Sequence, residues 1–126
     1  MKCAGAPPPT RSFLHRKQEK LMAERVAFRM RVHPAKIAEY KKRHDEIWPE
    51  LVKALKDAGV SDYSIWHDPE TNYLFATLIR TDDHTMPDLP KTDANRRWWD
   101  FMADVMDYND DGTPTTVDLT EVFHLP

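Results

Sequence analysis

Three features of the sequence predict an α+β domain in which helices cover one face of an antiparallel sheet. Apolar and polar residues alternate at period two in Val26–Val32, Asp62–Asp68 and Val117–Leu125, and Tyr73–Ile79 is a dense run of β-favouring residues. Two other stretches, 34–58 and 94–106, repeat their apolar residues at helical spacing. Their order along the chain is β-α-β-β-α-β, the ferredoxin-like split βαβ arrangement with a four-stranded antiparallel sheet.

Composition bounds the rest. The chain has 126 residues, 40% hydrophobic and 31% charged, which suits one packed core. No run approaches the roughly 18 apolar residues of a membrane span, and no membrane partner is expected. Cys3 is the one cysteine. That excludes a disulfide framework and a Cys-based metal site, and fits an intracellular, cytoplasmic home.

Charge is unevenly spread. Of 18 Lys/Arg and 21 Asp/Glu, residues 1–25 hold six basic and two acidic, leaving twelve and nineteen for residues 26–126. The first 25 residues read as a flexible basic extension, with a helix conceivable over Ser12–Arg25, and 26–126 as a single domain. The acidic balance of that domain argues against nucleic acid as a partner.

In the first strand Val26, Phe28, Met30 and Val32 share one face, with Arg29 and Arg31 on the other. His33-Pro34 closes it, Pro34 taking the first turn of a long helix that Gly59 caps. Ile37, Tyr40, His44, Ile47, Trp48, Leu51, Leu55 and Ala58 fall within an arc of roughly 100°, a core-facing stripe. Pro49 lies inside this helix and predicts a kink or a break. The two following strands form a hairpin through the turn Pro69-Glu70-Thr71-Asn72. Pro87 and Pro90 keep 81–91 a loop or a frayed helix start. Thr92-Asp93 caps a second helix, Ala94–Met106, with Asp93 the simplest cap. A last strand carries Val117, Leu119, Phe123 and Leu125, with Glu121 in its apolar row. Helices on one face leave the other uncovered, and Trp66 and half of Tyr73–Ile79 are apolar there. A homodimer that closes two sheets together is expected.

His44 sits in the core-facing stripe, one turn from Tyr40. A buried imidazole requires a hydrogen-bond partner. It is either a core histidine bonded to a carbonyl or an acid/base group near neutral pH. Trp98 and Trp99 diverge by about 100° on their helix, so one aims at a shared pocket while the other packs or rims it. Their flat faces suit the C–H face of a sugar or another ring; core packing is the alternative. Glu121 needs a partner or solvent at the strand edge. His33, His67, His84 and His124 lack metal-binding spacing, so no metal site is assigned. With three glycines in the chain, a phosphate-cradling loop is not expected. No Ser or Cys nucleophile motif is present.

Val26-Ala27-Phe28-Arg29-Met30-Arg31-Val32, Tyr40 with Arg43-His44, Ile47-Trp48-Pro49-Glu50-Leu51, Leu74-Phe75-Ala76, Thr92-Asp93, Arg97-Trp98-Trp99 and Glu121-Val122-Phe123 together resemble the L-rhamnose mutarotase family. The resemblance covers about residues 25–126. It implies a dimeric α+β barrel of ferredoxin-like subunits and an isomerase that interconverts the α and β anomers of L-rhamnose without a cofactor. It also implies His44 as general acid/base, Tyr40 as the pocket tyrosine, and Trp98 and Trp99 as sugar-binding residues. Met86-Pro87-Asp88-Leu89-Pro90 departs from the family's more continuous helix, which bears on sugar preference if that segment rims the pocket. Two other functions suit the same barrel: a monooxygenase-like enzyme, and a non-catalytic ligand-binding dimer.

Overall fold

The computed structural model describes residues 23–126. The extension read over residues 1–25, and the helix conceived over Ser12–Arg25, lie outside the described residues except at their last three positions. There the chain is already entering strand: β1 spans Glu24–Arg31.

Around β1 the sheet is built in the order β2-β3-β1-β4, with β2 at Val60–His67, β3 at Tyr73–Arg80 and β4 at Val117–Leu119. All neighbours are antiparallel, and β1 pairs with β3 from Glu24↔Arg80 to Arg31↔Tyr73. This is the split βαβ order expected from the alternation of elements. Helices α1 (Ile37–Asp45), α2 (Pro49–Asp57) and α3 (Asp93–Met102) lie on one face. Met30 and Val32 from the β1 end, Leu74 and Ala76 from β3, Leu51 from α2 and Met102 from α3 form the core. The opposite face carries a row across all four strands: Trp66, Phe75, Arg29 and Val117 stand side by side. Trp66 is 59% exposed and Val117 44%. Arg29 and Arg31 face this side, as their parity required.

The long helix expected over 34–58 is two helices. A residue before proline is pushed out of the α region, and Trp48 accordingly is extended at ψ 133°. Pro49 then takes the first position of α2, where its missing N–H costs nothing. The apolar stripe survives the break: Tyr40, Leu51 and Ala58 are buried, and Ile37, Ile47, Trp48 and Leu55 pack against the core. Pro34 lies before α1 and not in its first turn. It occupies a turn closed by Lys36 N–H donating to the His33 carbonyl at 3.1 Å, with Ala35 at φ +66°.

Three further expectations are corrected. The second helix ends at Met102 and not Met106, because the chain turns to bond the end of β1. His33 N–H donates to the Val105 carbonyl at 2.8 Å and Asp107 N–H to the Arg31 carbonyl at 3.0 Å. Val105 and Met106 stay buried. Its cap is Thr92, whose hydroxyl accepts from Asn95 N–H at 3.3 Å; Asp93 instead pairs with Arg97 at 2.8 Å. Of the last strand only Val117–Leu119 joins the ladder. Phe123 and Leu125 beyond it are 77% and 78% exposed.

Candidate active site

A cleft of about 820 Å³ opens between the core face of the sheet and the helices, with Tyr40, His44, Trp98 and Trp99 all on its walls. Its size suits a small-molecule site. The mostly apolar wall follows from the sequence: the stripe of α1–α2 and the one of α3 both face the sheet, and they meet over its middle.

His44 and Tyr40 are one turn apart on α1. Their rings stack with centroids 4.4 Å apart and planes inclined by 28°. The Nδ1 of His44 lies 3.0 Å from the Tyr40 carbonyl. A carbonyl only accepts, so Nδ1 carries the proton and Nε2 is left as a lone-pair acceptor. Burial lowers the His44 pKa from its ordinary value; the Tyr40 carbonyl and Asp45 oppose this more weakly. The imidazole is therefore neutral at pH 7 and available as a base. Burial raises the Tyr40 phenol, with Tyr63 and Tyr108 adding smaller contributions, so that hydroxyl stays protonated. Of the two readings left open for His44, a carbonyl bond and a place on a ligand-sized cleft hold together.

Trp98 is the better buried tryptophan, 7% exposed. It meets His44 edge to face at 5.3 Å and Trp48 edge to face at 5.2 Å. Trp99 is half-buried beside it on the wall. The divergence expected of adjacent helical residues is thus realised, one ring packing behind the histidine and the other rimming the cleft. Arg43 holds this corner: its guanidinium lies 2.8 Å from Glu39, 2.7 Å from Asp104 and 2.6 Å from the Phe101 carbonyl. It ties α1 to the end of α3.

Among the polar residues on the cleft wall that were not expected there from the sequence are Tyr63, His67, Asn95 and Tyr108. Tyr63 reaches it through an irregularity in β2, where the register slips between Ser61 and Ser64 and Asp62 takes φ +51°. Nothing in the alternation announces that bulge. His67 lies 3.1 Å from the Asn72 side-chain oxygen through Nε2. Asn95 is one helical turn before Trp98 and Trp99, a spacing that would have placed it on their side.

Other expectations fall elsewhere. Glu121 lies outside this cleft, 3.7 Å from Arg25. Residues 86–90 belong to a 3-10 turn, Met86–Lys91, which packs on α2 and α3 and does not reach the His44 cleft. Among the described residues no three His, Cys, Asp or Glu side chains cluster as metal ligands, and no helix is long and apolar enough to cross a membrane.

Comparison with known proteins bears on this site. A family model described as L-rhamnose mutarotase matches residues 25–125. An L-rhamnose mutarotase of Rhizobium meliloti (strain 1021) is 59% identical over 102 residues, which cover 81% of this chain and 98% of that protein. One from Acidiphilium cryptum (strain JF-5) is 57% identical over 103 residues, 82% of this chain and 99% of that one. Among solved structures, the crystal structure of an L-rhamnose mutarotase from Formosa agariphila superimposes with a TM-score of 0.74 at 45% identity, covering 82% of this chain and 99% of that one. A conserved protein from Methanosarcina mazei Go1 matches with a TM-score of 0.53 at 18% identity, over 82% of this chain and 96% of that one. That likeness is one of fold alone.

Proposed function

The chain belongs to the L-rhamnose mutarotase family, a family of isomerases, and we propose that His44 and Tyr40 carry out the interconversion of L-rhamnose anomers in the cleft they line. The observation that carries this reading is the His44 ring itself. Its Nδ1 is committed to the Tyr40 carbonyl at 3.0 Å, it is held neutral by burial, and its Nε2, which has no partner among the described residues, belongs to a residue on the wall of a ligand-sized cleft.

The chemistry follows from those groups. His44 Nε2 takes the proton of the anomeric hydroxyl. The oxygen's electrons form the C1 carbonyl as the bond from C1 to the ring oxygen breaks, and the ring oxygen takes a proton from the imidazolium while the Tyr40 phenol, kept protonated by burial, serves as a hydrogen-bond donor. The open-chain aldehyde rotates about its C1–C2 bond. Closure runs the same steps in reverse on the other face of the carbonyl, and the proton count ends where it began. Positioned acid–base groups contribute about 10²–10⁴-fold, enough to matter for a reaction that already proceeds slowly in water. Trp99, rimming the cleft, offers its face to the sugar's C–H face, and Trp98 fixes the histidine from behind.

A homodimer is part of this reading. The row Trp66, Phe75, Arg29 and Val117 is apolar enough to want cover, and a second copy of the same sheet supplies it. The lone cysteine supports a cytoplasmic home.

Saturation-transfer NMR of L-rhamnose tests the assignment. Exchange between the anomers is expected to accelerate with wild type and to return to the solvent rate with His44→Ala, while circular dichroism stays native. Undiminished exchange with a folded His44→Ala would remove the histidine from the mechanism.

A further inference from the structure

His44 stands near the end of a short helix, the last residue but one of α1 (Ile37–Asp45). A nine-residue helix is too short to hold itself in water, and helix ends are where fraying begins. Backbone packing sets α2 against α3 and β2, and α1 has no comparably close neighbour among the described elements. The Tyr40 carbonyl that fixes the His44 tautomer belongs to the same helix. It sets the imidazole against α1, and not against Trp98 and Trp99 on α3.

Arg43, beside His44 in sequence, supplies the tie between the two helices. Its Nη1 donates to Asp104 Oδ1 at 2.7 Å and its Nη2 to Asp104 Oδ2 at 3.2 Å, a paired fork on one carboxylate. Nη1 also donates to the Phe101 carbonyl at 2.6 Å, and the guanidinium lies 4.5 Å over the Phe101 ring. Glu39, at 2.8 Å, is its partner within α1. With 13% of its side chain exposed, Arg43 makes these bonds largely screened from water. Phe101 in turn lies 5.8 Å from Trp98, and Trp98 meets His44 at 5.3 Å. The contacts close a ring that runs from His44 through Arg43, Phe101 and Trp98 back to His44.

We propose that Arg43 is a positioning residue for anomer exchange, holding the last turn of α1 on α3 so that His44 stays aligned with the tryptophans of the cleft. This rests on the acid–base reading of His44. Arg43 is not among the residues lining the cleft, so its part is geometric. A base displaced by about 1 Å costs on the order of 10²-fold in rate, while groups that bind the sugar are left in place. Lysine does not replace it, because an ammonium has no planar fork to match a carboxylate and a carbonyl together.

The test is NMR anomer exchange on full-length protein over a range of L-rhamnose concentrations, well below each variant's melting midpoint, which separates kcat from KM. Arg43→Lys keeps the charge and removes the fork. Asp104→Ala removes the fork's partner at a position with 68% of its side chain in solvent, and so keeps the tie testable if Arg43→Lys does not fold. Each is expected to lose about tenfold in kcat with KM within about twofold of wild type. The double variant should lose no more than the worse single one, since both break the same tie. Glu39→Gln disturbs only the bond within α1 and is expected to keep kcat within about twofold. An arginine that served stability alone would lower the melting midpoint and leave the kcat of folded protein unchanged. A kcat within about twofold of wild type in both Arg43→Lys and Asp104→Ala therefore overturns the proposal, as does a Glu39→Gln protein that loses as much as Asp104→Ala. Either result leaves the mutarotase assignment standing. A wild type that accelerates exchange of no sugar overturns the assignment and the positioning role together.

Discussion

The His44 ring lies on the Tyr40 ring at 4.4 Å while its Nδ1 bonds the Tyr40 carbonyl at 3.0 Å. One residue therefore sets both the tilt and the tautomer of the other. The cost is that a base placed this way is buried, and burial lowers its affinity for a proton.

That cost is measurable as a pH profile. The neutral imidazole is the working form, and its pKa is lowered from 6.5. The acid limb of kcat/KM for anomer exchange is expected below pH 6.5, with a plateau through neutrality. A limb centred at or above 6.5 would contradict a desolvated base. The same shift acts on stability. The unfolded chain, with an ordinary histidine, binds a proton that folded His44 resists, so this site's contribution declines as pH falls below about 6.5 and stops declining once folded His44 protonates.

The two tryptophans should separate by their burial. Trp98→Ala empties a core position and is expected to cost about 3–5 kcal/mol of stability, lowering activity by loosening His44. Trp99→Ala removes a half-buried ring and should leave the melting temperature within a few degrees. Its KM for L-rhamnose is expected to rise about tenfold, roughly 1.4 kcal/mol of binding. Equal KM for Trp99→Ala and wild type would remove the stacking role from Trp99.

Most of this site was legible because helical spacing reports faces. Tyr40, His44, Trp48 and Leu51 shared an arc, and the break at Pro49 left them on one side because Trp48 and Pro49 form a compact corner. Asn95 shares a face with Trp98 and Trp99 by the same arithmetic, but an asparagine on an apolar face reads as a helix-cap or surface residue until its burial is seen. Tyr63 and the end of α3 were not legible. The β2 bulge adds a residue with no local signature, and α3 stops at Met102 because Val105 and Asp107 find backbone partners at His33, just past β1, and at Arg31, its last residue, far away in sequence. Phe123 and Leu125 alternated as a strand should, yet the ladder on β1 ends at Leu119. Alternation shows which residues share a face, not whether a neighbouring strand is there to pair.

Gly59 tests how tightly the helix layer is joined to the sheet. It stands at φ +93°, and a Cβ there would meet the Thr81 hydroxyl at 2.5 Å and the His84 Cα at 3.2 Å. Its carbonyl accepts from Thr81 N–H at 3.0 Å, so the corner cannot swing away cheaply. Gly59→Ala is expected to destabilise the protein by about 1–3 kcal/mol, read as a lower midpoint in urea with an unchanged slope. KM should not move, because Gly59 does not line the cleft. An unchanged midpoint would mean that Thr81 and His84 yield freely.

The outer sheet face bears on assembly. Trp66 is 59% exposed and pairs directly with Phe75 across β2 and β3, Phe75 with Arg29, and Arg29 with Val117. Arg29 also lies 4.2 Å over the Tyr73 ring, which keeps its charge from interrupting the apolar surface. A continuous row of this kind across a whole sheet is unusual for a face left in water. If a second copy covers it, wild type sediments as a dimer. A carboxylate at the β2 end of the row would then be buried under the second copy without a partner. Trp66→Glu should therefore sediment as a folded monomer at micromolar concentration. Because Tyr40, His44, Trp98 and Trp99 all come from one chain, that monomer should still accelerate anomer exchange, to within about tenfold of wild type if its helices hold position. A monomeric wild type, or a Trp66→Glu protein that remains dimeric, would show that this face is not the interface.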